Sequence, residues 1–155
     1  MRHIKLICFG SLKEPYLREA CAEYEKRLQS WCKLGTIELN PVFLPDNPSP
    51  TQIERALSAE AKHAGGNILR NASVAALCVE GRQMTSEQFA AWLEEQNEVA
   101  FLIGSSFGLS EALKKQAHLK LSLSDMTFPH QLVRVMLLEQ IYRASQIQTG
   151  GKYHK

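Results

Sequence analysis

The residues of this chain best suited to chemistry lie in its last third, from residue 99 onward. An apolar run leads into the glycine and serine loop FLIGSSFGLS at residues 101–110, and a short tail, GGKYHK, ends the sequence. Gly104 directly follows the apolar run, so the backbone there can turn tightly or approach a ligand without a Cβ atom, and Gly108 repeats that freedom. Glycines are equally frequent in plain strand-to-helix turns. The loop therefore permits a binding site without requiring one.

The spacing of the glycine loop excludes the known phosphate-binding motifs. The loop has neither the GxxxxGK of a P-loop followed by Ser or Thr nor the GxGxxG of a dinucleotide-binding turn. A ligand without phosphates suits loops that offer backbone groups and apolar walls. S-adenosylmethionine, which consists of adenine, ribose and methionine parts, is a ligand of this kind.

The tail and the residue after Pro129 carry the candidate acid–base and RNA-contacting groups. Lys152, Tyr153, His154 and Lys155 combine two cations, an aromatic face and an imidazole, a mixture suited to phosphate contact and base stacking. A frayed terminus without function is the alternative. His130 is either a capping or core histidine or a group that titrates near neutrality at the site.

Two arginines lie in the apolar segment before the tail. Arg143 follows Glu139 by four residues, the spacing of an ion pair along one helix face. Arg134 has apolar neighbours, so its guanidinium requires a carboxylate, a backbone carbonyl or a nucleic-acid phosphate as partner. A structural role and an RNA contact both remain open for Arg134.

Strands and helices must alternate along the chain to position these groups. Apolar runs of strand length and stripes at spacings of three and four predict both kinds of element. The predicted strands are residues 4–9, 36–39, 74–79, 99–103 and, more weakly, 119–123, and the predicted helices are residues 14–28, 51–64, 86–95 and 130–146. The alternation predicts one α/β domain over residues 1–155, with a mostly parallel sheet and helices on both faces.

The ends of these elements predict helix caps and one shared pocket. Thr51 and Ser86 are the expected N-caps, with Glu54 completing a capping box for the first. Ligands bind beyond the carboxyl ends of strands in open α/β sheets, so the loops at residues 80–85, 104–110 and 124–129 are expected to line one pocket.

The last predicted helix is apolar around almost its whole circumference. Its apolar residues are Leu132, Val133, Val135, Met136, Leu137, Leu138, Ile141 and Tyr142. A domain of this size rarely encloses a terminal helix completely, so part of this surface is expected to meet a second copy of the chain across a two-fold axis. A purely internal core is the alternative.

Composition limits the remaining possibilities. With 155 residues, 45% of them hydrophobic and 22% charged, the chain has the size and balance of a globular domain. Neither an apolar run of about 20 residues nor a signal peptide is present, so we expect a cytoplasmic protein. The net charge of +2 means that any RNA contact is local or assembled by oligomerisation. Four cysteines without a close pair indicate no zinc site and no disulfide framework.

In combination, these motifs resemble those of the RlmH-type ribosomal RNA methyltransferases of the SPOUT superfamily. The resemblance runs from KLICFG near the start to YHK at the end, and its most specific parts are TFPHQLVRV, EQIYRA and YHK. It implies an α/β knotted homodimer whose C-terminal chain forms a trefoil knot. It also implies an S-adenosylmethionine-dependent enzyme that methylates N3 of a pseudouridine in the large-subunit RNA of the assembled ribosome, without a metal.

The resemblance also implies roles for particular residues. The cofactor-binding residues would be Leu77, Gly104, Ser105, Ser124, Asp125, Met126, Thr127, Phe128 and Pro129. Beyond the resemblance, our hypothesis is that His154 and Arg134 are catalytic, with His154 orienting the base or accepting its proton and His130 as the second candidate. We expect Arg143, Lys152, Tyr153 and Lys155 to bind RNA. The family usually has a second glycine where this chain has Ser105, and commonly an aspartate at Cys78.

These departures keep alternatives open. One is a non-catalytic, ribosome-associated RNA-binding module with the same dimeric fold. A more distant one is an α/β enzyme for another small ligand.

Overall fold

A computed structural model describes all residues of the chain, Met1–Lys155. Strands and helices alternate from end to end, as the sequence predicts. The elements are β1 Arg2–Phe9, α1 Pro15–Leu28, β2 Cys32–Leu39, α2 Pro50–Gly65, β3 Ser73–Gln83, α3 Ser86–Glu94, β4 Glu98–Ile103, α4 Glu111–Gln116, β5 Leu119–Ser122 and α5 His130–Gln148.

The five strands form one sheet in the order β2-β1-β4-β3-β5, and every neighbouring pair is parallel. The predicted parallel sheet is therefore confirmed. Because all strands run in the same direction, the loops that follow them meet at one edge of the sheet. This edge is where the fold places the glycine loop after β4 and the Pro129 segment after β5.

Helices cover both faces of the sheet, which confirms the predicted layering. On one face, α1, α3 and α5 pack on alternate strand residues such as Leu6 and Phe101, while α2 and α4 pack on Ile7 and Leu102 on the other face. This alternation follows from the two-residue period of a strand. Each of these four strand residues is fully buried, which explains why β1 and β4 contain apolar runs, at residues 6–9 and 99–103.

The predicted cap of α2 is wrong. Ser49, not Thr51, is the N-cap, and its hydroxyl accepts a hydrogen bond from the Gln52 backbone N–H while the Gln52 side chain accepts one from the Ser49 backbone. Pro50 accounts for the shift, since proline has no N–H to satisfy and its fixed φ suits the first helical position. The capping box is real but uses Gln52 rather than Glu54.

The predicted cap of α3 is also wrong, by one residue. Thr85 caps the helix in place of Ser86, again with a glutamine three residues later, Gln88. The short helix α4, capped by Ser110, was not predicted. Its six residues are too few for a helical period to be recognised in the sequence.

Strands β2 and β3 are longer than predicted. β3 continues to Gln83, so most of the expected loop at residues 80–85 is strand. Its pairing with β5 shifts register between Leu77 and Arg82. At Gly81 a Cβ atom would lie 2.7 Å from the Lys120 carbonyl carbon, so only glycine allows the two backbones this approach.

The helix α5 packs on α1 and α3 and contributes Leu137, Leu138 and Ile141 to the core, all fully buried. Leu132, near its start, remains 37% exposed. The helix is thus largely internal within one chain but keeps an apolar surface near its N-terminus. None of the helices combines the length and apolar character needed to cross a bilayer.

Candidate active site

A cleft of about 790 Å³ opens at the carboxyl edge of the sheet, a volume typical of small-molecule sites. The glycine loop after β4, the segment after β5 and the middle of β3 form its walls. The lining residues are Leu77, Cys78, Val79, Glu80, Ile103, Gly104, Ser105, Ser106, Phe107, Gly108, Leu109, Lys114, Leu121, Ser122, Leu123, Ser124, Met126, Thr127, Phe128, Pro129, His130 and Val133. Two of the three predicted loops therefore share one pocket, whereas the first contributes only Glu80.

The glycine loop closes on itself through its backbone. The Gly108 N–H donates to the Ser105 carbonyl at 2.8 Å, and Gly108 adopts a φ of +81°. A Cβ atom at Gly104 would lie 2.4 Å from the carbonyl carbon of Gly108. Glycine is therefore required at both positions, at Gly104 by close backbone approach and at Gly108 by conformation.

The loop is also tied to the scaffold by a buried carboxylate. The Ser105 hydroxyl donates to Oε1 of Glu60 at 3.3 Å, and Oε2 of Glu60 accepts the Val42 backbone N–H at 2.9 Å. Glu60 is only 4% exposed and lies on α2 between the buried Ala56 and Ala64. Sequence analysis missed this residue, although a charged side chain on the buried stripe of a helix is the signal that marks it.

The segment after β5 turns through local side-chain hydrogen bonds. The Ser122 hydroxyl donates to the Ser124 carbonyl at 2.9 Å, and the Ser124 hydroxyl accepts the Met126 N–H at 3.1 Å. Asp125 instead accepts a hydrogen bond from the Gln83 side chain at 2.7 Å and does not line the cleft. The other eight predicted cofactor-binding residues do line it.

The one cation on the cleft wall is neutralised by neighbouring carboxylates. Lys114 forms ion pairs with Glu80 and, at 2.8 Å, with Glu111. The hydrogen bond from Lys114 lowers the pKa of Glu80. Burial, with Arg134 as a second cause, lowers the pKa of His130, which favours a neutral imidazole at the cleft. No unpaired cation is thus aimed into the cleft, in keeping with a ligand that has no phosphates.

Arg134 finds two partners inside its own chain. Its guanidinium donates to Oε2 of Glu38 at 2.7 Å and to the Gly10 carbonyl at 3.0 Å, and the residue is 5% exposed. These are a carboxylate and a backbone carbonyl, two of the three kinds of partner that we expect for this arginine from the sequence. The contacts join α5 to the ends of β1 and β2, whereas the catalytic role of Arg134 stays a prediction.

The tail folds against α3 and α5, outside the cleft lining. Nε2 of His154 lies 2.7 Å from Oε1 of Glu87, and Nδ1 lies 3.1 Å from Nη1 of Arg143. Arg143 forms the predicted ion pair with Glu139 at 2.6 Å. The Arg143 guanidinium lies over the face of Tyr153, with its Cζ atom 4.7 Å from the centroid of the ring. Because the Arg143 guanidinium can only donate, Nδ1 of His154 is the acceptor in this contact.

The predicted RNA-binding residues therefore form one group with His154 at this surface. Lys152 and Lys155 are exposed, and Arg143 and Tyr153 contact each other. Oε2 of Glu139 is buried without a hydrogen-bond partner within the chain. The roles of Glu87 and Glu139 as neighbours of the tail were missed, since no local pattern links positions so far apart in sequence.

No group of three His, Cys, Asp or Glu side chains lies close enough together to hold a metal ion. All four cysteines are free thiols, and three of them, Cys8, Cys21 and Cys32, are buried. Burial raises the pKa of each of these three thiols to about 11. Cys78 is the partly exposed one, and it lines the cleft.

Comparison with known proteins gives a consistent family match. Residues 1–154 match a family described as predicted SPOUT methyltransferase. A protein of Bifidobacterium adolescentis is 47% identical and one of Streptococcus equi subsp. zooepidemicus is 43% identical, each over 98% of this chain and 99% of the relative. A protein of Leuconostoc mesenteroides is 44% identical over 99% of both chains. Each of the three carries the name ribosomal RNA large subunit methyltransferase H.

One solved structure shows the same fold at much lower sequence similarity. It is described as a probable methylase family protein from Haemophilus influenzae Rd KW20. The match has a TM-score of 0.55 and 13% identity, and covers 98% of this chain and 70% of the other.

Proposed function

The chain belongs to the SPOUT methyltransferase family, and from that premise we propose that it transfers a methyl group from S-adenosylmethionine to large-subunit ribosomal RNA. The observation that carries the proposal is the cleft at the carboxyl edge of the sheet, where the glycine loop meets the segment after β5. The full-length similarity to relatives named for this activity supports the RNA substrate. A ribosomal substrate also favours the cytoplasm as the site of action.

The cleft fits S-adenosylmethionine in size and in chemistry. The cleft volume of about 790 Å³ accommodates a ligand of this size, and the cleft walls combine apolar side chains such as Leu77 and Phe128 with loop backbone. The wall offers no unpaired cation, since Lys114 is held by Glu80 and Glu111. A ligand that itself carries a sulfonium and an ammonium needs no such cation, whereas a nucleotide phosphate would.

Within the cleft, we assign the holding of the cofactor to the backbone of two loops and of strand β3 beside them. The residues involved are Leu77, Gly104 and Ser105, together with Ser124, Met126, Thr127, Phe128 and Pro129. When bound, the sulfonium supplies an electrophilic methyl group. The protein's part is then to align an attacking nitrogen with that methyl group, and such alignment accounts for a large share of rate acceleration in two-reactant reactions.

The acceptor that we propose is N3 of a pseudouridine in the assembled ribosome. Its N3 proton must leave, so a group with basic character near neutral pH is needed. His154, which the structure places between Glu87 and Arg143, is the first candidate, and His130 at the cleft is the second. Arg143, Lys152, Tyr153 and Lys155 would contact the RNA around the target base.

We further propose a two-fold homodimer with a knotted C-terminal segment, in which the tail of one subunit completes the cleft of the other. The support is that the tail lies outside the cleft of its own chain, although the proposed reaction requires both. Exposed apolar side chains, Val79, Phe107, Met126 and Leu132, cluster around the cleft and the start of α5. Association would remove this surface from water.

A truncated chain ending at Thr149 separates the two parts of this site. We expect it to bind S-adenosylmethionine in calorimetry as the full chain does, and to transfer no methyl group to ribosomes. Nucleoside mass spectrometry of the reaction with the full chain should find a methyl group on N3 of a pseudouridine. Loss of cofactor binding on truncation would contradict the assignment of the tail. Cofactor binding and ribosome association without methyl transfer by the full chain would favour the non-catalytic module instead.

A further inference from the structure

Glu60 is a buried charged residue that has no part in the proposed reaction. The residue is 4% exposed, lies on α2 and does not itself line the cleft. A buried carboxylate is costly unless its oxygens are hydrogen-bonded. Here each oxygen has one partner, the Ser105 hydroxyl at 3.3 Å and the Val42 N–H at 2.9 Å.

The two partners belong to different loops at the same edge of the sheet. Val42 follows β2 and Ser105 follows β4, and β1 lies between these two strands. Glu60 therefore bridges the loops on either side of the end of β1. Because the Ser105 carbonyl also accepts the Gly108 N–H at 2.8 Å, fixing Ser105 fixes the turn that forms one wall of the cleft.

We propose that Glu60 is a positioning residue for the glycine loop, which acts through the Ser105 hydroxyl to hold residues 104–108 in the conformation that receives the cofactor. The cofactor part of this inference rests on the proposed function. Glu60 contacts neither cofactor nor RNA in this account. Its effect is on affinity for the cofactor, since a loop that is already ordered loses less conformational freedom on binding.

Hydrogen exchange of the free protein tests the positioning without any ligand. The matched variants are Glu60→Ala, Ser105→Ala and, as control, Glu54→Ala, which removes an exposed carboxylate from the same helix. We expect faster exchange of the Gly108 amide in the first two, by about fivefold for one lost hydrogen bond, and no change in the control. Exchange within β4 should stay at the wild-type rate. An unchanged Gly108 amide, or equal acceleration throughout β4, would overturn the inference.

Calorimetry with S-adenosylmethionine then tests the consequence for the cofactor. We expect Ser105→Ala and Glu60→Ala each to raise the dissociation constant of the cofactor by about fivefold to tenfold. In a protein that already carries Ser105→Ala, adding Glu60→Ala should raise the dissociation constant by less than about a further twofold. In the transfer assay Glu60→Ala should raise KM for the cofactor, with kcat little changed. Glu60→Gln should bind the cofactor with near wild-type affinity. Its amide oxygen can accept from the Val42 N–H, and its NH₂ group can donate to the Ser105 hydroxyl.

The outcomes separate the two proposals. Additive losses from Ser105→Ala and Glu60→Ala would show that Glu60 does not act through Ser105, which overturns the positioning role. If Glu60→Ala fails to fold, Ser105→Ala can be compared with Glu60→Gln instead. Only Ser105→Ala removes the hydrogen bond between residues 60 and 105, so only this variant should lose affinity for the cofactor. If Glu60→Ala speeds exchange of the Gly108 amide but the wild-type protein binds no S-adenosylmethionine, the proposed function is refuted and the positioning role of Glu60 stands.

Discussion

Replacing Gly104 with alanine places one methyl group where the glycine loop has no room for it. The new Cβ atom would lie 2.4 Å from both the carbonyl carbon and the carbonyl oxygen of Gly108. These are backbone atoms of a turn closed by the Gly108 N–H and the Ser105 carbonyl, so the turn must open to relieve the contact. Overpacking of this kind costs about 1–3 kcal/mol. We assign most of that cost to the loop, because residues 99–103 of β4 on its other side are buried and fixed by packing.

The cost should be visible as lost cofactor affinity. If the open loop must close again on binding, about 1–3 kcal/mol corresponds to a dissociation constant for S-adenosylmethionine raised by roughly fivefold to more than a hundredfold. Calorimetric titration measures this, and urea denaturation of the same samples measures any effect on folding. Gly35→Ala is the matched control, since a Cβ atom there meets nothing within 4 Å. Unchanged affinity in Gly104→Ala, or an equal loss in Gly35→Ala, would refute the reasoning.

Three further predictions concern the surroundings of the cleft. Arg134→Met should lower the free energy of unfolding by about 2 kcal/mol in urea titrations, because it removes charge-assisted hydrogen bonds to Glu38 and Gly10; no loss would show that the pair contributes nothing. Cys78, the partly exposed thiol, should react with iodoacetamide faster than the three buried cysteines, and S-adenosylmethionine should slow that reaction; modification unaffected by the cofactor would place the ligand elsewhere. Burial lowers the folded-state pKa of His130, so protonation favours the unfolded chain: the stability His130 contributes is present above its unfolded pKa and is lost as pH falls through the lower folded value. His130→Asn should flatten that decline in stability between about pH 6.5 and more acidic values, and an identical pH profile would contradict this cause.

The layers of the fold could be predicted because burial leaves a clear pattern in the sequence. Ile7 and Leu102 are buried on one face of the sheet and Leu6 and Phe101 on the other, so β1 and β4 contain apolar runs at residues 6–9 and 99–103. The alternation of such runs with amphipathic stripes was enough to predict a parallel sheet with two helical layers. The resemblance to a known family added a set of predicted cofactor-binding residues, and eight of the nine line one cleft.

Two other features escaped prediction, one because it depends on contacts between distant positions and one for a local reason. Glu60 lies on the buried stripe of α2, but only the structure brings Val42 and Ser105 to its two oxygens. The N-cap of α2 is Ser49 and not Thr51 because Pro50 suits the first helical position, so the helix begins there. This local effect was overlooked because the apolar stripe begins only after Thr51.

The most direct test of the account is transfer of labelled methyl from S-adenosylmethionine to ribosomes that lack the modification. Isolated ribosomal RNA and free subunits serve as parallel substrates, and Gly104→Ala and the chain ending at Thr149 serve as matched enzyme variants. The account predicts incorporation into assembled ribosomes by the wild-type protein, at a rate strongly reduced at limiting cofactor in Gly104→Ala and abolished by the truncation. Binding of S-adenosylmethionine with no incorporation into any of the three substrates would contradict it.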